Sequence, residues 1–153
     1  MTKLAGVAAI TAFATVGFFG LPVASMWVPT STPPANADCD WCDAPNVQFF
    51  KTPSGNIHCQ IDYQRSPRIL DGAYCMSINP PQHVTINADG SLRAVCTGSS
   101  SNCTSDGPAG QPVLAYGRSK GIGPFMCHSE ETGMTCTANG RGFEISPAGI
   151  TAV

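Results

Sequence analysis

Residues 57–62, Ile-His-Cys-Gln-Ile-Asp, alternate apolar and polar without a break. A period of two places Ile57, Cys59 and Ile61 on one face of a strand and His58, Gln60 and Asp62 on the other. Val47–Lys51 reads as a short strand before it. The "TPSGN" between them is turn chemistry, because Pro53 presets its φ and Gly55-Asn56 tolerate positive φ. A third strand is expected over Ala73–Ile78, ended by Asn79-Pro80-Pro81. His83–Asn87 and Ser91–Cys96 flank Asp89-Gly90 as a hairpin. Later strands are expected over Val113–Tyr116, Phe125–Ser129, Met134–Ala138 and Phe143–Ser146, with Asn139-Gly140 as a further turn. From residue 38 onward there is no helical periodicity and no internal repeat. Many short strands separated by turn signals predict an all-β fold, a small antiparallel β-sandwich or barrel. Two stretches carry no strand pattern. Residues 97–110, "TGSSSNCTSDGPAG", read as a polar loop tied down by Cys103, and "GRSKGIGP", residues 117–124, as a mobile glycine-rich loop.

The N-terminus follows a different logic. Lys3 precedes an apolar run from Leu4 to about Val28 that holds no charged residue. A Pro-rich stretch then ends in Ala35-Asn36-Ala37. Charge, apolar run and A-x-A box in that order predict a signal-peptide helix over residues 1–37, cleaved after Ala37. The apolar run is also long enough to span a bilayer, so a membrane association is expected only where the segment stays uncleaved. The reading leaves one secreted β domain, residues 38–153, located outside the cell or at the envelope periphery.

Charge narrows the partners. Loss of Lys3 leaves seven Lys or Arg against ten Asp or Glu, a net charge of −3. With no basic stripe, nucleic acid and anionic membrane surfaces are poor partners. All eight cysteines lie after residue 37. An even number in an exported chain points to a disulfide framework. Cys127 lies two residues before Ser129, and Cys136 two residues after Met134. If "EETG" caps that hairpin, the two cysteines stand opposite each other, within bridging reach. Nearness in sequence suggests Cys59 with Cys75 and Cys96 with Cys103, which leaves Cys39 with Cys42.

Candidate chemistry is sparse. Ser54, His58 and Asp62 fall close together, but a turn and a strand start separate Ser54 from His58, and Ser54 lacks a nucleophile-elbow context. "CDWC" at residues 39–42 has the spacing of thiol oxidoreductases. Acidic neighbours and Pro45 oppose the low-pKa thiolate and following helix that such chemistry needs. Cys39, Cys42, His58 and Cys59, or Cys127 with His128, do not match paired zinc-ligand spacing. No catalytic, cofactor or metal residue is assigned. Arg118 and Lys120 in the glycine-rich stretch, together with loop 97–110, are the candidate contact surface.

"FKTPSGNIHC", "LAYGRSKGIGPFMCHSEETGMTC" and "GRGFEIS" resemble a family of small secreted proteins of mycobacteria and other actinobacteria. Its pattern is T-P-S-G-N-I-x-C followed by a G-P-F-x-C…G-x-T-C…G-F tail. The resemblance spans about residues 49–146 and rests on Thr52–Ile57, Cys59, Tyr116-Gly117, Gly123–Phe125, Cys127, Gly133, Thr135-Cys136 and Gly142-Phe143. It implies a signal peptide and a framework of turn formers, cysteines and apolar residues, and it brings no activity with it. The expected function is an exported, non-catalytic, disulfide-rich binding module of the cell envelope or exterior. The rival expectations are an exported thiol–disulfide oxidoreductase using Cys39 and Cys42, and a small secreted hydrolase around His58.

Overall fold

The computed structural model describes Cys39, residues 41–98, Cys103 and residues 107–153. The expected signal-peptide helix over residues 1–37 lies outside the described residues. The described residues contain no α-helix. They form β1 (Asp43–Ala44), β2 (Val47–Lys51), β3 (Ile57–Asp62), β4 (Gly72–Ser77), β5 (Gln82–Ile86), β6 (Leu92–Thr97), β7 (Ser119–Ile122), β8 (Phe125–Ser129), β9 (Met134–Ala138), β10 (Arg141–Ser146) and β11 (Gly149–Ala152).

Strands β1 to β6 form one antiparallel sheet in chain order, and β7 to β11 a second. Each sheet is a meander of successive hairpins, so every pairing is made locally by a short connection. The chain passes from one sheet to the other between β6 and β7. The sheets stack as a sandwich, and the alternation read from the sequence decides which side chains enter it. From the first sheet come Phe50, Ile57, Ile61, Ala73, Val84 and Ile86; from the second, Phe125, Met134, Ala138, Phe143 and Ile145. The fully buried Phe50, Phe125 and Phe143 are the largest of these.

Four disulfides hold the fold: Cys39–Cys42, Cys59–Cys75, Cys96–Cys103 and Cys127–Cys136. All four match the expected pairs. Cys127 is the direct partner of Cys136 in the β8–β9 ladder, as the hairpin geometry required. Cys59 stands likewise opposite Cys75 across β3 and β4.

Three expectations are corrected. "GRSKGIGP" is not a loop: Ser119–Ile122 is the edge strand β7, paired with β8. Val113–Tyr116 is not a strand; only Val113 bridges, parallel to Lys51. Strands β1 and β11 were not expected at all. Gly121 helped conceal β7, because within the strand only Ile122 supplies an apolar side chain.

The two sheets are also joined by polar contacts at their ends. Gln82 Nε2 of β5 donates to Ser146 O of β10, and Asn139 Nδ2 donates to Ala88 O at 2.9 Å. At the second of these ends Gly90 has φ +79°, and a Cβ there would stand 2.4 Å from Ala138 O. Gly140 has φ +77° with nothing within 4 Å of the corresponding position. Gly90→Ala therefore combines left-handed strain with a collision against the opposite sheet, whereas Gly140→Ala carries the strain alone. Denaturant unfolding under oxidising conditions is expected to show a loss of about 1 kcal/mol for Gly140→Ala and a clearly larger one for Gly90→Ala.

In the same turn, Asp89 Oδ1 accepts from Ser91 Oγ at 2.6 Å and from Ser91 N at 2.9 Å. These bonds favour the carboxylate and hold the Asp89 carboxyl below its ordinary 3.8. A depressed folded-state value stabilises the fold above the unfolded value, and that stabilisation is lost as pH falls through the folded one. Asp89→Asn should flatten the acid side of the stability–pH profile below about pH 4. An unchanged profile would show that the turn carries no proton linkage.

Candidate functional site

The outward face of the six-stranded sheet carries the side chains opposite in phase to the core: Val47 and Phe49 from β2, His58, Gln60 and Asp62 from β3, and Tyr74 and Met76 from β4. Two disulfides lie on it. The first holds Cys39 and Cys42, which pack with Val47 and Phe49 in a second apolar cluster. Phe49 N donates to Cys42 O at 2.8 Å, and the Trp41 ring meets Phe49 edge-on at 5.0 Å. The second is Cys96–Cys103. Cys103 O lies 3.2 Å from His83 Nδ1, and the His83 ring leans on Tyr74 at 5.6 Å.

The same face carries a cleft of about 90 Å³, lined by Phe49, His58, Gln60, Tyr74, Met76 and the 107–111 stretch. Aromatic and thioether groups contribute the apolar surface. Amide and imidazole edges contribute hydrogen-bonding positions. No Lys, Arg, Asp or Glu is among the described lining residues. That composition suits a neutral group with one flat apolar side. The volume is well below the roughly 300–1,000 Å³ of pockets that engulf a drug-sized ligand, so the cleft takes one ring or side chain.

The residues of the expected chemistry are placed as follows. Ser54 belongs to the β2–β3 turn: its Oγ lies 3.0 Å from Thr52 Oγ1 and accepts from Asn56 N at 3.3 Å. Thr52 Oγ1 accepts from Ile57 N, and Asn56 exchanges two hydrogen bonds with the backbone of Asn79. Each polar side chain of "TPSGN" is thus engaged in building a turn. His58 Nε2 donates to Gly55 O at 2.9 Å, and Nδ1 faces Gln111 Oε1 at 3.0 Å. Both ring nitrogens are occupied. Asp62 instead meets Gln60 Nε2 and Arg65 Nη1. Ser54, His58 and Asp62 are therefore not brought together as a triad.

Cys39 and Cys42 are bridged and buried, and β1 follows them where a thiol oxidoreductase would place a helix. The Sγ atoms of Cys59, Cys75 and Cys136 lie within 4.8 Å of one another, but as bridged sulfurs they offer no thiolate to a metal. His128 points away from Cys127. Its Nδ1 lies 2.8 Å from Ser119 Oγ and its Nε2 3.8 Å from Glu130 Oε1, on the solvent face of the second sheet. Of the expected contact residues, Arg118 is exposed. Lys120 faces inward at the sandwich edge, pairs with Asp43 of β1 and lies 6.0 Å from the Phe50 ring centroid. This lysine ties the edges of the two sheets, so it does not sit in a loop awaiting a partner.

Sequence reasoning did not single out Phe49, Tyr74, Met76 or Gln111. The signal for three of them was present as outward apolar residues on strands whose inward face was already apolar. That pattern marks a strand covered on both faces. A second recess, about 280 Å³, lies between the start of β6 and Arg141, Gly142 and Val153; Ser91 and Arg141 are its polar side chains. The chain matches no family model, no curated protein and no solved structure.

Gln111 is buried and holds the 107–111 wall of the cleft to His58. Gln111→Ala leaves a half-buried imidazole nitrogen without its partner. It should lower stability by about 1–3 kcal/mol in denaturant titration. Arg118→Ala, on the exposed side chain, should stay within about 0.5 kcal/mol of the parent.

Proposed function

We propose that this chain is an exported, non-catalytic binding module whose cleft takes a neutral, ring-sized group of an extracellular or cell-envelope ligand. The observation that carries the reading is the cleft itself. Its floor is two central strands of a disulfide-held sheet, and Gln111 holds its 107–111 wall to His58. Such a site is rigid before its ligand arrives, which reduces the ordering cost of binding. Four bridges support the oxidising location, since disulfides persist outside the cytosol. The resemblance to small secreted actinobacterial proteins supports the same location. Occupied nitrogens on His58 and a Ser54 engaged in its turn favour binding over turnover.

The test is an amide-resolved NMR titration of the oxidised protein with phenol, indole and N-acetylglucosamine. At least one probe is expected to shift the amides of Phe49, Gln60, Tyr74 and Met76 together, and Tyr74→Ala should abolish that response. Shifts confined to other surfaces, or none with any probe, would remove the cleft from consideration. Hydrolysis of ester, peptide or glycan substrates that depends on Ser54 or His58 would overturn the non-catalytic reading.

A further inference from the structure

The two central disulfides meet. Cys59–Cys75 belongs to the first sheet and Cys127–Cys136 to the second, and both point into the sandwich. Across the gap, Cys75 Sγ lies 3.5 Å from Cys136 Sγ, in van der Waals contact. All four residues are buried; Cys59, at 2%, is the most exposed. Bringing the facing sulfurs to bonding distance requires an approach of only about 1.5 Å.

We propose that these four sulfurs form one exchange unit, in which opening either bridge converts the core to a Cys75–Cys136 bridge that joins the sheets. The opening reductant is a small thiol, RSH. Its thiolate attacks Cys59 Sγ, forming a mixed disulfide there and releasing Cys75 as thiolate. The Cys75 thiolate attacks Cys136 Sγ, the S–S bond to Cys127 breaks, and Cys127 leaves as thiolate and takes a proton. A second RSH resolves the mixed disulfide, giving RSSR and Cys59 thiol. Two electrons and two protons have entered: two bridges and two RSH become one bridge, two protein thiols and RSSR. Opening Cys127–Cys136 at Cys127 leads to the same product, because the Cys136 thiolate then attacks Cys75 and releases Cys59. The internal step needs no solvent access, since nucleophile and target are already in contact.

The exchange also has a thermodynamic direction. The native bridges span 16 and 9 residues and each closes a hairpin within one sheet. A Cys75–Cys136 bridge would span 61 residues. The longer loop restricts the unfolded chain more, so the one bridge remaining after a two-electron reduction stabilises most when it joins the sheets. The partly reduced protein would keep its two layers covalently attached.

The test is partial reduction of the oxidised protein by 2-mercaptoethanol, acid quench, alkylation with N-ethylmaleimide in mildly acidic denaturant, and peptide mapping. Among molecules whose core has lost one bridge, label is expected on Cys59 and Cys127, with a linked Cys75–Cys136 peptide. Cys127 labelling should exceed Cys75 labelling several-fold. Label on Cys59 with Cys75, or on Cys127 with Cys136, with the other native bridge intact, would overturn the proposal. Cys59→Ala offers a route without added reductant. Its oxidised form should carry the free thiol on Cys127, and a thiol found only on Cys75 would argue the opposite. Should this variant not fold, the partial reduction of the parent protein still decides.

Discussion

The sandwich is organised around a contact between two disulfides. Two sheets at the usual spacing of about 10 Å must fill the gap with side chains from both inner faces. At the centre this chain uses Cys59–Cys75 from one sheet and Cys127–Cys136 from the other, touching through Cys75 and Cys136. A cross-strand disulfide is compact, apolar and has little rotamer freedom, so the middle of the core is fixed in shape. Phe50, Phe125, Phe143, Ile61 and Ile145 then pack around a rigid centre. The strand alternation that turns these sulfurs inward also turns His58, Gln60, Tyr74 and Met76 outward. The position of the cleft is therefore a consequence of the register that buries the sulfurs.

Much of this was legible in the sequence because the topology is local. Every pairing within a sheet joins consecutive strands, so a strand pattern and a turn signal suffice to place it. Asn139-Gly140 and Asp89-Gly90 marked their hairpins for this reason. Cys127 and Cys136 could be paired from their equal distances to one turn. What connects the sheets was not legible. Nothing in the residue order says that the meander breaks between β6 and β7, or that Cys75 faces Cys136. Those are contacts between hairpins, and short-period patterning carries no information about them.

Lys120 shows why β7 escaped notice. Its position faces inward, where an apolar residue is the ordinary choice, and its neighbour Gly121 has no side chain to define the alternation. A lysine is tolerated there because β7 is an edge strand. The aliphatic stem covers the margin of the core near Phe50, while the ammonium reaches Asp43 at the edge of the other sheet. An inward-pointing charge of this kind also discourages pairing of the edge with another chain. The cleft was hidden for a related reason. Phe49 looks like a surplus apolar residue until Cys39, Trp41 and Cys42 are seen to pack against it, and Met76 until the 107–111 stretch is seen to close the cleft that it lines.

The two outlying bridges do different work from the central pair. Cys39–Cys42 and Cys96–Cys103 lie on the outer face, where a small domain has no third layer to bury its apolar residues. The Cys39–Cys42 bridge supplies such cover for Val47 and Phe49 at little length. The cleft has one wall in the 107–111 stretch, and its floor belongs to β3 and β4, the strands that carry Cys59 and Cys75 on their other face. Binding surface and core sulfurs share the same two strands, separated by one pleat. A rearrangement of the core bridges would act on the cleft floor directly through that shared backbone, with no intervening element to absorb it.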